Sequence, residues 1–206
     1  MSGRPSSIAG IILAAGLSTR FGGNKLLAEL DGVAIIHRVV ETALASGLEQ
    51  IVIVLGHDQA PIRAALGDLA KNDRLEIIVN QDYRHGQSTS VTAGLKAVQA
   101  NFTAAMYLMG DQPLLDSGII DSLIKAYQST DHDICYPSFQ NQRRNPVIFG
   151  DVFFNDILAL GGDTGARAII DANPDRAMAV VFNQEEPFLD VDEENDLNSL
   201  HSTSAK

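Results

Sequence analysis

"IILAAGLSTRFGGNKLL", residues 11–27, begins as an apolar strand and then breaks into Gly, Ser, Thr, Arg and Lys. Its strand, "IAGIIL" (8–13), heads a series in which apolar runs of strand length alternate with helical patterns. The later runs fall at 34–47, 50–56, 60–71, 75–80, 88–100, 104–113, 116–128 and 132–137. Such alternation predicts βαβ units with right-handed crossovers and a mainly parallel sheet covered by helices on both faces. The strands read as continuous Ile, Val and Leu runs, the pattern of strands buried on both sides. Asp58 is placed to cap the helix containing Pro61, Gly47 to stop the one before it, and Asp116 to cap the helix after 116. Past residue 138 the order is less regular and shows no repeat period, so the chain reads as one α/β domain, residues 1–206. Its regular part covers about 8–138, and a C-terminal part that completes the site covers about 139–200. Residues 1–7 read as a polar start and 200–206 as a frayed tail.

Ligands of such sheets gather beyond the carboxyl ends of the strands, which makes the break after Leu13 the first candidate site. Gly16, Gly22 and Gly23 let backbone approach a ligand, and free N–H groups in such a loop form a concavity for anions. Arg20 and Lys25 add a planar fork and a point charge suited to phosphate, so a triphosphate is the economical ligand. The loop matches neither the Walker pattern, since Leu26 follows Lys25, nor G-x-G-x-x-G. Taken alone it is equally a Gly-rich turn with two solvated cations.

A second element supports the first. In "MYLMGDQPLL" an apolar strand delivers Asp111 to the same sheet edge, a position suited to Mg²⁺, which takes oxygen ligands and keeps phosphate and water in its shell. Asp190 and Asp192 alternate about Val191 in "PFLDVDEENDL", so both point to one side, and one carboxylate from each segment could share a cation.

Composition bounds the remaining possibilities. The 206 residues carry a net charge of −11, with 26 acidic against 15 basic side chains. That balance argues against a nucleic-acid surface. The most hydrophobic window, residues 8–17, is too short for a bilayer and reads as a core strand rather than a leader. A single cysteine, Cys135, excludes an internal disulfide framework, reads as a small buried residue and fits the cytoplasm. His37, His57, His85, His132 and His201 show no metal-ligand spacing.

These motifs together resemble the nucleotidyltransferases that build the nucleotide form of the molybdenum cofactor, the MobA-like NTP transferases, and most closely their cytidylyltransferase branch. The likeness runs in order through "LAAGLSTRFGGNKLL", "GQSTSVTAGL", "MGDQPLL", "NPVIFG", "GGDTGARAII" and "LDVDEENDL". It implies a three-layer α/β/α, Rossmann-like fold of the nucleotide-diphospho-sugar transferase (GT-A-like) type, with a mainly parallel, mixed sheet and one reversed strand. It further implies Mg²⁺-dependent transfer of CMP from CTP to the phosphate of molybdopterin, with release of pyrophosphate.

By the same resemblance Leu13, Ala14, Ala15 and Gly16 border the base, and Gly86, Gln87 and Ser88 lie against base and ribose. Arg20 and Lys25 grip the triphosphate, and Asp111 binds Mg²⁺ with Asp192, Asp190 being the less favoured partner. Ala15 stands where guanylyl-transferring relatives usually have Gly, and "GQSTS" resembles the cytidylyl branch's Gly-Met-Ser-Ser-Ser; both favour CTP over GTP. Before Pro146 the family commonly has Gly-His where this chain has Arg144 and Asn145, and its usual Thr-Pro-Glu is replaced by Glu193, Glu194 and Asn195.

Arg144, Asn145, Asp163 and Arg167 are the candidate acceptor residues. "GGDTGAR" reads either as a helix start capped by Asp163 or Thr164 with Arg167 solvated, or as a helix N-terminus where Arg167 receives the acceptor's phosphate. Arg143 and Arg144 assist there or form a solvated basic pair. An ionised phosphate is already nucleophilic, so positioning and charge neutralisation suffice without a Ser/His/Asp triad.

The alternatives are a GTP-using guanylyltransferase, a sugar- or alditol-phosphate nucleotidyltransferase, and a non-catalytic nucleotide-binding accessory of a molybdoenzyme. Expected partners are the nucleotide, the phosphorylated pterin and a molybdoenzyme or its chaperone, with no nucleic acid or membrane. The expected state is a monomer or weak oligomer.

Overall fold

The computed structural model describes residues 7–18 and 21–203. The elements in chain order are β1 (Ile8–Ala14), β2 (Glu29–Leu30), β3 (Val33–Ala34), α1 (Ile35–Ala45), β4 (Gln50–Leu55), α2 (Gln59–Leu66), β5 (Leu75–Val79), α3 (Gln87–Val98) and β6 (Ala104–Met109). They continue with α4 (Ser117–Gln128), β7 (Ile134–Phe139), β8 (Gln142–Arg143), β9 (Val147–Gly150), α5 (Phe154–Leu158), α6 (Arg167–Ala172), β10 (Ala177–Val181) and α7 (Glu194–Thr203).

The sheet runs β10-β7-β9-β6-β1-β4-β5, with β8 pairing to β7. β1 is parallel to β4 and β6, β4 to β5 and β7 to β10, while β9 lies antiparallel to both β6 and β7. The reversed strand implied by the resemblance is therefore β9, and the two-residue β8 also opposes β7. The division placed near residue 138 falls inside β7.

Strand alternation sorts β1 between two cores. Ile8, Ile12 and Ala14 pack with the buried faces of α1, α2 and α4, whereas Ala9 and Ile11 pack with those of α3, α5 and α6. That is the α/β/α layering, and it leaves the central strands without a solvent face. A third cluster joins Phe21, Leu30, Ile35, Val191 and Leu200. The chain near residue 200 is thus anchored, not frayed as expected, because Leu200 lies on α7 and is buried; residues 1–6 lie outside the described residues.

One cap assignment changes, and those at Gly47 and Asp116 hold. Asp58 sits in the left-handed region at φ 52° and makes no capping bond. Its carboxylate instead accepts from Asn24 Nδ2 (3.3 Å) and lies 3.0 Å from His57 Nδ1. α1 ends at Ala45 with Ser46 as its cap, one residue before Gly47. Asp116 does cap α4, accepting from the Ile119 N–H.

Cys135 is fully buried in β7, and burial pushes its thiol up to about 12. Because the thiolate is the reactive form, the native protein should consume no Ellman's reagent at pH 8 and one equivalent in denaturant. Rapid native reaction would contradict this packing. Among the described residues no helix is long and apolar enough to cross a membrane.

Candidate functional site

Because β1, β4 and β6 are parallel, their carboxyl ends open on one edge. The Gly110 N–H donates to the Leu13 carbonyl (3.0 Å), which ties the loop after β6 to the end of β1. Over this edge lies a cavity of about 530 Å³, within the usual size of small-ligand sites. Its wall takes Leu13, Ala14, Ala15 and Gly16 from the first break, Lys25 from the same loop, Gly86 and Gln87 from the start of α3, and Asp111 and Asp192. Arg20 lies outside the described residues.

"GQSTS" and "GGDTG" meet here. Gly86 has φ +109°, and a Cβ on it would stand 2.3 Å from the Gly162 carbonyl oxygen. Ser88 donates through both its N–H (3.2 Å) and its Oγ (2.7 Å) to that same carbonyl. "GQSTS" and "GGDTG" are therefore one structural unit. Ser88 is a correction: it is buried against Gly162 and is not part of the cavity wall, because the loop's approach consumes its hydroxyl. Asp163 is another, since that approach carries it into this first cavity rather than beside Arg144.

Asp111 and Asp192, 81 positions apart in the chain, are brought together by local bonds. The Val191 N–H donates to the Asp111 carbonyl (2.9 Å), Gln112 Nε2 donates to the Phe188 carbonyl (3.0 Å), and Val191 is buried in the third cluster. Lys25, presented by a turn whose start Asn24 caps, places its ammonium 2.6 Å from Asp111 Oδ2 and 2.8 Å from Asp192 Oδ1. Burial acts to lower the Lys25 pKa, but Asp111 and Asp192 outweigh it and hold the group above its ordinary value. The contact's stabilising contribution is therefore present throughout neutral pH and is lost only as alkaline pH passes that raised value.

Asp190 is exposed by surface area and does not line the cavity. Partial desolvation of its carboxyl, with the charge of Asp111, nonetheless pushes it up to about 6 against a hydrogen bond from Gln112.

The donor set fits a divalent cation. Asp111 Oδ1 is buried with no hydrogen-bond partner among the described residues, and its other oxygen converges with one from Asp192 on a positive charge. Among the described residues no group of three His, Cys, Asp or Glu side chains could hold a metal. The protein could thus supply two carboxylates at most from this wall, which suits Mg²⁺ completed by phosphate and water.

A second cavity, about 230 Å³, shares Leu13, Gln87 and Met109 with the first. Its lining includes Arg143, Arg144, Asn145 and Arg167, with Val91, Tyr107, Val147, Phe149 and Ile170 as apolar wall. Three of the four acceptor candidates are thus brought together and Asp163 is not. The arginines are not a solvated pair. Arg144 is 2.6 Å from Glu185, and Arg143 is 2.8 Å from Asp171 and lies over the Tyr136 ring. Neither Asp163 nor Thr164 caps α6, which begins at Arg167 after Ala166. With six residues, α6 is too short to carry the helix-dipole argument for phosphate.

Sequence reasoning missed Tyr83, Arg84 and Ser90 in the first cavity and Tyr107 in the second. "DYRHGQ" adjoins "GQSTS", and that adjacency was the available signal for Tyr83 and Arg84. Tyr107 gave none, since it reads as a core strand residue and donates its hydroxyl to the Val91 carbonyl.

Residues 10–177 match the family described as MobA-like NTP transferase domain. The chain is 34% identical over 134 residues to bifunctional protein GlmU of Clavibacter sepedonicus, covering 64% of this chain and 27% of that protein. It therefore spans about a quarter of the length of such relatives. Two relatives match along nearly their whole length. Purine catabolism protein PucB of Bacillus subtilis is 29% identical, with 91% and 92% of the two chains covered. A probable molybdenum cofactor guanylyltransferase of Thermococcus gammatolerans is 28% identical, with 93% and 98% covered. Among solved structures, Rv0371c of Mycobacterium tuberculosis H37Rv superposes with a TM-score of 0.84 at 24% identity, covering 97% and 99%. A manganese complex of Rv0371c superposes at 0.79 with 23% identity, covering 96% and 99%. At these identities the structures establish the shared fold.

Proposed function

Since the chain belongs to the MobA-like NTP transferase domain family, we propose that it is a divalent-metal-dependent nucleotidyltransferase that moves CMP from CTP to the phosphate of a molybdopterin-type acceptor and releases pyrophosphate. The observation that carries this reading is the pair of cavities sharing Leu13, Gln87 and Met109, with Lys25, Asp111 and Asp192 on the wall of the larger one. Two substrates can lie end to end across that boundary, as transfer between two phosphates requires.

In this reading residues 1–206 work as one cytoplasmic domain. Leu13, Ala14, Ala15 and Gly16, with Gly86 and Gln87, enclose base and ribose. Lys25, with Arg20, offsets the charge that grows on the leaving pyrophosphate. Asp111 and Asp192 would hold Mg²⁺, which when bound supplies further neutralisation of phosphate charge. The acceptor's phosphate oxygen attacks the α-phosphorus in line, and no side chain needs to remove a proton because that phosphate is already ionised. Arg144, Asn145 and Arg167 border the space for the acceptor's body, and product would pass to a molybdoenzyme or its chaperone.

Ala15 and "GQSTS" support CTP, while the Thermococcus relative's name makes GTP the competing nucleotide. Titration in the presence of Mg²⁺ decides: CTP should bind at least about tenfold more tightly, a difference of about 1.4 kcal/mol. Tighter GTP binding would overturn the choice of base.

A further inference from the structure

We propose that Lys25 closes the metal-binding carboxylates against a bare divalent cation and releases them only when a nucleoside triphosphate offers its own oxygens to the ammonium. The inference rests on the metal-dependent reading above and deepens it, because it sets the order in which the ligands enter. Its basis is geometric. The Lys25 ammonium lies 2.6 Å from Asp111 Oδ2 and 2.8 Å from Asp192 Oδ1, so it stands between the two carboxylates that would hold a cation.

The contact is held in place. Lys25 and Asp111 are mostly buried, with side-chain exposures of 16% and 14%. The turn presenting Lys25 is capped by Asn24, whose Oδ1 accepts from the Leu26 N–H at 3.0 Å, and Leu26 is buried in the main core. The Lys25–Asp111 bond, short and sheltered from water, costs a cation far more to displace than a surface pair would, while Asp192, 53% exposed, yields more readily.

A triphosphate changes the balance. The cavity that contains Lys25 also contains the Ala14–Gly16 backbone, so a nucleotide lying there brings anionic oxygens within reach of a flexible four-carbon side chain. Moving the ammonium onto those oxygens keeps it paired and withdraws it from Asp111 and Asp192 at the same moment. The nucleotide thus opens the metal site with one side-chain rotation, and metal and nucleotide bind with positive coupling that is reciprocal.

The test measures Mn²⁺ binding by the electron paramagnetic resonance signal of the free ion, without turnover. It uses the wild type, Lys25→Met and Lys25→Gln, and as a charge control Arg84→Gln, which removes a cation from the same cavity without touching either carboxylate. Without nucleotide, both Lys25 variants should bind Mn²⁺ at least about tenfold more tightly than the wild type, and Arg84→Gln should stay within about twofold. Adding CTP, with the Mn²⁺ taken up by CTP itself measured in a protein-free titration and subtracted, should tighten Mn²⁺ binding at least about tenfold in the wild type and by much less in the Lys25 variants. Circular dichroism establishes which variants are folded. Should neither be, Lys25→Arg, which keeps the charge and the pairing, takes their place and should bind bare Mn²⁺ as weakly as the wild type; tight bare Mn²⁺ binding by the wild type itself would overturn the proposal.

Equal affinity of the wild type and the Lys25 variants for bare Mn²⁺ would overturn the inference and leave the metal reading standing. An equal gain in Arg84→Gln would also overturn it, by tracing the effect to net charge. Absence of Mn²⁺ binding in every protein, with and without CTP, would remove the metal reading and this inference with it.

Discussion

Asp111→Asn is expected to lower metal-dependent pyrophosphate release at least about a thousandfold while the far-ultraviolet circular dichroism stays that of the wild type. The loss is large because Asp111 contributes on two sides. Its Oδ1 is buried without a partner among the described residues and its Oδ2 bonds Lys25. An amide in that place weakens both a hard oxygen ligand and the anchor of the cation that faces the triphosphate. The fold should survive because the main-chain bonds that hold this loop do not involve the carboxylate. These are the Gly110 N–H to the Leu13 carbonyl and the Val191 N–H to the Asp111 carbonyl. Full activity in a folded Asp111→Asn protein would sink the assignment.

Gly86→Ala should be the most damaging single methyl group in the site. At φ +109° an L-residue is strained, and the added Cβ would meet the Gly162 carbonyl oxygen at 2.3 Å and the Asp163 N at 2.9 Å. Both are backbone atoms, so no side chain can swing away. Strain of this kind costs about 1–3 kcal/mol, which for a chain of this size lowers the melting midpoint by about 3–10 °C. The loop that Ser88 holds through Gly162 would be pushed off, and nucleotide affinity should fall about 10- to 100-fold, since Gly86, Gln87 and Asp163 share that wall. Gly23→Ala is the control: among the described residues nothing lies within 4 Å of its Cβ position, and its melting midpoint should be unchanged within about 2 °C. If Gly86→Ala bound nucleotide as the wild type does, the joined motifs would not shape the site.

The parallel half of the sheet was legible because β1, β4 and β6 are continuous apolar runs, each followed by a helical pattern, and buried strands can hardly be written otherwise. The other half was not. β9 has four residues and enters between β6 and β7, and nothing local in "VIFG" says that its partners lie so far back in the chain. Caps behaved similarly. Asp116 caps as its position suggests, while Asp58 is drawn off by Asn24 and His57, neighbours that only the tertiary fold supplies.

The site divides along the same line. Lys25 and Asp111 were readable as cations and carboxylates placed after strand ends, a rule of parallel sheets. That the Lys25 ammonium sits between Asp111 and Asp192 was not readable, because it depends on Val191 being buried beside Phe21 and Leu30. Ser88 and Asp163 were misplaced for one reason: the 160–165 loop packs on the start of α3, a contact set by Gly86 and Gly162 acting together. The second cavity drew Arg144, Asn145 and Arg167 from separate segments that β9 and α6 bring into register.

The most direct test is pyrophosphate release by the purified chain with CTP or GTP, Mg²⁺ and a panel of acceptors comprising a phosphorylated pterin, sugar phosphates and alditol phosphates. The account predicts release that requires Mg²⁺, CTP and the pterin phosphate together, with a CMP-pterin product formed in equal amount. Nucleotide binding without pyrophosphate release for any acceptor on the panel would contradict it.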